Sequence, residues 1–234
     1  MAGLVVVTGG TKGIGRAILE KFAGHGYDVC TCARNKGELE ETVADIQSRF
    51  KVKAHQITAD LSSAMETRRF VDFVNRLKQP VDVLVNNAGF FTGGAVTEEE
   101  DGALEAMIGA NLYSAYYTSK GLVVGMKERR RGHVFNMCSI ASFMAYPNGG
   151  SYGITKFAML GFSKVLREEL KEYGIRVTAI MPGATLTASW QGTKHPDERF
   201  IKVEDIAETV YSAYMLSQQS VVEEIVIRPM LGDI

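Results

Sequence analysis

The feature that most constrains the fold is a regular alternation of short apolar runs and longer amphipathic runs along the 234 residues. The short runs are rich in β-branched residues and almost continuously apolar, which is typical of parallel strands that are buried on both faces. The longer runs repeat their apolar residues at helical spacing. The pattern predicts strands at 4–7, 28–32, 52–57, 81–85, 132–137, 175–181 and 222–228, and helices at 14–23, 36–50, 63–77, 98–129, 151–173 and 203–216.

This order of elements predicts an α/β protein whose residues 1–234 form a single domain. Parallel strands joined by right-handed crossovers give a doubly wound, seven-stranded parallel sheet with helices on both faces, which is a Rossmann fold. The length suits one well-buried domain rather than two. Ligands of such a sheet bind beyond the carboxyl ends of its strands.

Charge and composition exclude several classes of function. The net charge is −1, with 46% hydrophobic and 23% charged residues, so the chain has no electrostatic basis for binding nucleic acid or an anionic membrane. No apolar stretch is long enough to cross a bilayer, and no basic segment precedes the first strand. We therefore expect a cytoplasmic protein.

The cysteines and histidines show no metal-binding pattern. The three cysteines form no C-x-x-C pair and fall in or beside predicted strands, so we expect reduced, buried side chains. The four histidines are scattered without the spacing of zinc ligands, and we expect no metal site. These residues are Cys30, Cys32, Cys138, His25, His55, His133 and His195.

A glycine-rich loop, residues 8–15 with the sequence TGGTKGIG, joins the first predicted strand to the first predicted helix. Glycines permit a tight turn and a close approach of the backbone to a pyrophosphate, which the helix N-terminus attracts. A glycine turn that only packs is the alternative, but the position between strand and helix favours dinucleotide binding. The candidate contacts are Gly9, Thr11, Lys12, Gly13, Ile14 and Gly15.

Tyr152 and Lys156 are four residues apart in a predicted helix, so their side chains share one face. A cation beside a phenol favours the phenolate, which lets a tyrosine exchange protons closer to neutral pH. Interconversion of a carbonyl and an alcohol needs such a group. By itself the spacing also fits an ordinary pair on a helix surface.

Together, the T-G-x-x-x-G-x-G loop and the Tyr152/Lys156 pair resemble the short-chain dehydrogenase/reductase family in its compact single-domain branch. Other motifs occur in the order typical of that family, after successive predicted strands. They are Asp60-Leu61, Asn86-Asn87-Ala88-Gly89, Asn111, Ser139 thirteen positions before Tyr152, and the P-G-x-x-x-T segment at 182–187. The resemblance extends over essentially the whole chain.

The resemblance implies a catalytic group of Asn111, Ser139, Tyr152 and Lys156. Tyr152 would donate the proton, Ser139 would bind the substrate oxygen, Lys156 would tune Tyr152 and hold the nicotinamide ribose, and Asn111 would hold a water for proton resupply. Further cofactor contacts are implied at Asp60, Leu61, Asn87, Ala88, Gly89, Pro182, Gly183, Thr185 and Thr187, besides Tyr152 and Lys156 themselves.

The end of the second strand favours NADP over NAD. An acid at this point would bind the adenine ribose and repel a 2′-phosphate, but the segment reads Cys32-Ala33-Arg34-Asn35. Arg34 can pair with the phosphate, and Lys12 supplies a second cation. We therefore expect NADP(H) as cofactor, with Asn35 also in contact.

The substrate is the least constrained part of the interpretation. Residues expected to border it are Ser139, Phe90, Phe91, Ala141, Phe143, Tyr146 and Trp190. Several of them could instead pack in the core or cover the cofactor. Trp190 lies in an irregular segment, 188–199, that could form a lid and stack on a flat substrate.

The last residues narrow the resemblance. The ending 221–234, the P-G-x-x-x-T segment and Trp190-Gln191-Gly192 are similar to bacterial sepiapterin-reductase-type enzymes, which implies a pterin side-chain ketone or another small planar carbonyl. A 3-oxoacyl thioester, as in 3-oxoacyl-carrier-protein reductases, is the runner-up. A dinucleotide-sensing regulator without turnover is a third possibility, although such proteins typically lack the tyrosine or the lysine.

Oligomerisation is also implied by the resemblance. Members of the family usually form dimers or tetramers through the two helices that correspond to 98–129 and 151–173. The second of these carries more apolar faces than one core contact requires. We expect a homodimer or a homotetramer.

Overall fold

The computed structural model of the chain describes residues 3–190 and 192–234. Gln191, which belongs to the pterin-reductase-like segment, lies outside the described residues, as do Met1 and Ala2. The strands are β1 (Leu4–Thr8), β2 (Asp28–Ala33), β3 (Ala54–Thr58), β4 (Val81–Asn86), β5 (Gly132–Met137), β6 (Ile175–Pro182) and β7 (Glu224–Ile227). The α-helices are α1 (Gly13–Gly24), α2 (Lys36–Phe50), α3 (Ala64–Arg76), α4 (Ala103–Ile108), α5 (Ser114–Arg129), α6 (Gly150–Leu170) and α7 (Val203–Met215).

The seven strands form one sheet in the order β3-β2-β1-β4-β5-β6-β7, and every neighbouring pair is parallel. The predicted fold class is thereby confirmed. The strand order reverses between β1 and β4, and the loops after these two strands diverge to opposite sides. In doubly wound sheets this divergence opens the crevice that binds a ligand.

Alternate residues of β1 supply two separate cores. Val5 and Val7 of β1 face a layer that includes Phe22 of α1 and Val210 of α7. Leu4 and Val6 face the other layer, which includes residues of α3, α5 and α6. These four side chains are fully buried, as expected for a strand covered on both faces.

The predicted helix 98–129 differs most from the structure. Helical structure begins at Ala103, because Gly102 adopts a left-handed conformation (φ 91°) that ends the preceding turns. The helix then contains a π-helical turn, Gly109–Tyr113, between α4 and α5. Such turns insert an extra residue into a helix and are frequent at functional sites.

Smaller boundary differences occur at two other strands: β3 begins at Ala54 rather than at residue 52, and β7 begins at Glu224 rather than at residue 222. β5 matches the predicted strand 132–137, and Ser139 lies beyond it as the N-cap of a 3₁₀ turn, Ile140–Ser142. Across the described residues, no helix combines the length and the apolar character needed to span a membrane.

Candidate active site

A cavity of about 860 Å³ lies at the carboxyl ends of the strands. Its walls come from the loops after β1 to β6, from the first turns of α6 and from the last two residues of the chain. The predicted cofactor residues that line it are Gly9, Thr11, Lys12, Gly13, Ile14, Arg34, Asn35, Asp60, Leu61, Asn87, Ala88, Gly89, Tyr152, Lys156, Pro182, Gly183, Thr185 and Thr187. Gly15 alone among the predicted cofactor contacts is not in the wall.

The glycine loop leaves the start of α1 open towards the cavity. Gly9 (φ 68°) and Gly13 (φ 57°) occupy left-handed conformations that favour glycine. The N-cap residue Lys12 makes no side-chain capping bond, and the first turn of α1 contains no acidic residue. The amides of this helix end are therefore free of a capping side chain, and the helix dipole favours an anion there.

Gly15 and Asn87 fix the shape of the loop. The Asn87 side-chain amide donates to the carbonyl oxygens of Thr8 and Gly9, both at 3.0 Å. A Cβ at position 15 would lie 2.5 Å from Asn87 Nδ2 and from the Gly9 oxygen. Gly15 therefore provides room for this brace instead of a surface for the cofactor.

The cationic end of the cavity contains an acid that the motif comparison missed. Lys12 Nζ is 3.7 Å from Glu38 Oε1, and the Thr11 hydroxyl donates to Glu38 Oε2 at 3.2 Å. Glu38 follows β2 by only five residues and lines the cavity with Lys12 and Arg34. Among the described residues Arg34 has no ion-pair or hydrogen-bond partner, so its guanidinium remains available. A search of the first turn after the second strand, rather than of the strand end alone, would have found Glu38.

Asp60 lies beside Arg34, at the loop after β3. Its Oδ1 accepts hydrogen bonds from the amide and the hydroxyl of Ser62, at 3.0 and 2.8 Å. The Ser62 hydroxyl bond is the main cause that holds the pKa of Asp60 below its ordinary value, with a smaller contribution from Arg34. The carboxylate is thus held ionised and oriented at the rim of the cavity.

Tyr152 and Lys156 both line the cavity from the first turns of α6. Lys156 is 8% exposed, and its ammonium donates to the Met137 carbonyl oxygen at 2.7 Å. Lys156 Nζ is 5.6 Å from the centre of the Tyr152 ring. The pair is therefore not the solvated surface pair that the spacing alone allowed, because the end of β5 anchors its cation.

Ser139 lines the same cavity and is 9% exposed. Its Oγ accepts from the Ala141 amide at 3.1 Å, while its own amide donates to Ser142 Oγ at 3.2 Å. Since the capping bond uses Oγ as an acceptor, the hydroxyl hydrogen remains free to point elsewhere. Ser139 can therefore donate to an oxygen in the cavity.

Asn111 lies behind the cavity wall, in the π-helical turn, and is 1% exposed. Its Oδ1 accepts from the Phe90 amide at 2.8 Å, and its Nδ2 donates to the Phe90 carbonyl at 3.0 Å and to Thr155 Oγ1 at 3.1 Å. The side chain thus ties the loop after β4 to α6. Its amide hydrogens already have partners, so any water bound here would rely on the Oδ1 lone pair that remains or on backbone groups.

The predicted substrate residues divide into two groups. Phe90, Phe91, Tyr146 and Trp190 line the cavity together with Ser139. Phe143 and Ala141 do not line it. Phe143 directly follows the 3₁₀ turn and is 45% exposed, while Ala141 lies within that turn and is fully buried.

Several aromatic side chains line the cavity close to Tyr152. The Phe91 ring meets the Tyr152 ring edge to face at 4.9 Å between centres. Burial raises the pKa of Tyr146, and the nearby Tyr152 adds to this effect. Trp190 packs edge to face on Phe200 at 5.2 Å. These contacts make an apolar wall beside the only hydroxyl groups that the motifs assign to catalysis.

The end of the chain contributes residues that sequence reasoning missed. Asp233 and Ile234 line the cavity, and the Asp233 carboxylate pairs with the Arg228 guanidinium. Arg199 also donates to the Gly232 carbonyl at 3.3 Å. No motif marks these residues, since only the fold returns the tail to the loop after β6. Among residues 3–190 and 192–234, no three His, Cys, Asp or Glu side chains are grouped so as to hold a metal ion.

Known proteins with a similar sequence or structure cover nearly the whole chain. The family model for short chain dehydrogenases matches residues 3–198. A sepiapterin reductase from Chlorobaculum tepidum is 30% identical over 100% of this chain and 99% of its own length.

Two solved structures share the architecture. An alcohol dehydrogenase from Thermococcus sibiricus, in complex with 5-hydroxy-NADP, is 28% identical with a TM-score of 0.92 and covers 98% of this chain and 97% of its own. A 3-oxoacyl-[acyl-carrier protein] reductase from Brucella melitensis is 26% identical with a TM-score of 0.88, covering 97% of this chain and 90% of its own. The extent of the family match, with the cavity and its motifs, leads to one conclusion: the chain belongs to the short-chain dehydrogenase family and is an oxidoreductase.

Proposed function

We propose that this protein is an NADPH-dependent reductase that transfers hydride to a small carbonyl substrate and forms an alcohol. The observation that carries the proposal is the single cavity that Ser139, Tyr152 and Lys156 share with the glycine loop and with Arg34. One compartment thus has room for a dinucleotide, a proton donor and an oxygen-binding hydroxyl.

The residues of the cavity fit the proposed cofactor. The uncapped start of α1 suits a pyrophosphate, and the Asp60 loop suits the adenine. Thr187, near the glycine loop, is proposed for the carboxamide of the nicotinamide. When bound, NADPH supplies the hydride, and the protein supplies binding, orientation and proton transfer.

A preference for NADPH over NADH is supported by charge. Lys12, in the glycine loop, and Arg34, directly after β2, both line the cavity, and no acid occupies the end of β2. A guanidinium forms bidentate bonds with phosphate. The 5-hydroxy-NADP complex of the Thermococcus enzyme supports the same choice.

In the proposed reaction Tyr152 donates a proton to the carbonyl oxygen, which takes a negative charge as the carbon accepts hydride. Ser139 donates its free hydroxyl hydrogen to the same oxygen and stabilises that charge. Lys156 supports the phenolate that Tyr152 becomes and holds the nicotinamide ribose. Asn111 fixes the loop after β4 against α6 and is proposed to help return a proton through Lys156.

The substrate proposed first is a pterin side-chain ketone or a carbonyl of similar size and flatness. The similarity to the Chlorobaculum sepiapterin reductase and the aromatic wall of Phe91, Tyr146 and Trp190 support it. A 3-oxoacyl thioester is the second candidate, favoured by the structural similarity to the Brucella reductase.

A panel of carbonyls, including sepiapterin and an acetoacetyl thioester, tests the proposal. NADPH oxidation should proceed with sepiapterin or a similar flat ketone, and the kcat/KM with NADPH should exceed that with NADH. Faster turnover of the thioester would favour the second candidate. Binding of NADPH without oxidation by any carbonyl would identify a non-catalytic binding protein instead.

We also propose that the protein forms a homodimer or a homotetramer. Large apolar side chains are exposed on the outer faces of α5 and α6, including Tyr116 (44%), Val124 (55%), Phe157 (47%) and Val165 (58%). A surface of this kind is typical of a protein–protein interface. Light scattering during gel filtration should give two or four times the monomer mass of 25.6 kDa.

A further inference from the structure

The helix that carries Tyr152 has no cap of its own. The N-cap of α6 is Gly149, which has no side chain, and the first turn of α6 contains no acidic residue. Instead, both carboxylate oxygens of Glu99 accept from the Ser151 amide, at 3.0 and 3.2 Å, and Oε2 also accepts from the Ser151 hydroxyl. A residue 52 positions away thus satisfies the amide directly before Tyr152 and complements the helix dipole.

The surrounding backbone leaves room for this carboxylate. A Cβ on Gly150 would collide with Glu99 Oε1 and with the Gly94 carbonyl oxygen, and a Cβ on Gly94 would lie 2.8 Å from Glu99 Cγ. The Gly94 amide also donates to the Asn148 carbonyl at 3.1 Å. The loop between β4 and α4 therefore interlocks with the segment that leads into α6, and the position of Glu99 is defined from both sides.

The same loop touches the Tyr152 ring. Phe91 packs edge to face on it, and the neighbouring Phe90 backbone is held by Asn111 on both its amide and its carbonyl. The loop is consequently fastened by Asn111 near its start and by Glu99 near its end. Phe91 lies between these two anchors, so loss of either anchor would loosen the contact on the Tyr152 ring.

We propose that Glu99 is a positioning residue for Tyr152: its carboxylate fastens the loop after β4 to the first turn of α6 and thereby holds the phenol in place for proton transfer. This inference rests on the proposed role of Tyr152. We expect its effect mainly on the substrate side, because Asn87, which braces the glycine loop, lies at the other end of this loop, directly after β4. Misplacement of a reacting group by about 1 Å can cost about a hundredfold in rate.

The test compares Glu99→Ala with Glu99→Gln and with Glu98→Ala as a matched control. Glu98 is an exposed neighbour on the same loop. At saturating NADPH, Glu99→Ala should lower kcat by about 10-fold to 100-fold and leave the Kd for NADPH within about twofold. Glu99→Gln retains an acceptor for the Ser151 amide and should recover most of the loss, while Glu98→Ala should behave as wild type.

A measurement without cofactor or substrate separates this inference from the proposed function. Amide hydrogen exchange at the start of α6 should accelerate in Glu99→Ala and return towards wild type in Glu99→Gln. If the wild-type protein reduces no carbonyl but the exchange rates change as described, the proposed function is wrong, while the structural role of Glu99 at the start of α6 is supported. A wild-type kcat in Glu99→Ala, or equal losses of kcat and NADPH affinity without rescue by Gln, would overturn the inference.

Gly94→Ala provides a second route if Glu99→Ala does not fold. The added Cβ displaces the Glu99 side chain without removing it. We expect the same fall in kcat at unchanged NADPH affinity. Wild-type kcat in a folded Gly94→Ala protein with accelerated exchange at the start of α6 would contradict the role of Glu99.

Discussion

The cavity has two halves that are built differently. The β1–β3 half, formed by the loops after these strands, is shaped mainly by short backbone turns, such as those at Gly9 and Gly13 and the Ser62–Asp60 bond. The Asn87 brace on the glycine loop is its main long-range contact. The β4–β7 half depends on pairs that are distant in sequence, such as Glu99 with Ser151 and Asn111 with Thr155. A substitution in a local turn changes that turn alone, whereas loss of one member of a distant pair frees a whole loop.

The largest expected effect is on kcat, from a change in the β4–β7 half alone. Tyr152→Phe removes the proposed proton donor from the β4–β7 half and leaves intact the turns that are proposed to bind phosphate. We expect kcat to fall by about 10² to 10⁴, the range of general acid catalysis, with the Kd for NADPH changed less than about twofold. Steady-state kinetics and fluorescence titration measure the two quantities.

Tyr173→Phe is the control for that variant, because Tyr173 is 40% exposed just beyond the far end of α6. It should retain full activity. A Tyr152→Phe protein that turns over at the wild-type rate would remove the tyrosine from the mechanism. Loss of NADPH binding in that variant would show that the two halves are not separable.

The next largest effect is on NADPH binding, from a change in the β1–β3 half alone. Arg34→Ala should weaken NADPH binding by about 10-fold to 100-fold, since a charge-assisted bond to phosphate contributes about 1.5–3 kcal/mol, and should leave NADH binding unchanged. Isothermal titration with both cofactors tests this, and Lys36→Ala on the neighbouring turn is the control. Equal weakening of NADPH and NADH binding would show that Arg34 does not recognise the 2′-phosphate.

The smallest effect is expected from Glu38. Its carboxylate pairs with Lys12 in the region proposed for the 2′-phosphate, so it competes for the cation and repels the phosphate. Glu38→Gln should tighten NADPH binding by about twofold to fivefold, in keeping with the small energy of an exposed ion pair, without affecting NADH. Glu40→Gln, on the same helix but outside the cavity wall, should change the affinity for neither cofactor. Weaker NADPH binding in Glu38→Gln would contradict the competition.

Most residues that line the β1–β3 half could be placed there from the sequence, because they belong to motifs with a fixed position after a strand. The order of the elements, the glycine loop and the cavity positions of Lys12 and Arg34 followed from apolar periodicity and from a short spacing rule. Gly15 was assigned to the right loop, but its reason is the space for Asn87, which only the folded loop reveals.

The β4–β7 half was less predictable for a physical reason. Tyr152 and Lys156 are helical neighbours and could be paired by spacing. By contrast, Asp233 reaches the cavity and Glu99 reaches the start of α6 through tertiary contacts that leave no local pattern. Phe143 shows the converse: its aromatic character and its place after β5 suggested the wall, yet the 3₁₀ turn carries it into solvent.

Deuterium transfer most directly tests the claim that the two halves meet in one reaction. Wild-type protein is mixed with NADPH deuterated at the transferable C4 position and the best carbonyl of the panel, and the product is analysed by mass spectrometry. One deuterium is expected on the new carbinol carbon for each NADPH consumed. NADPH that binds but transfers no deuterium to any carbonyl would contradict that claim.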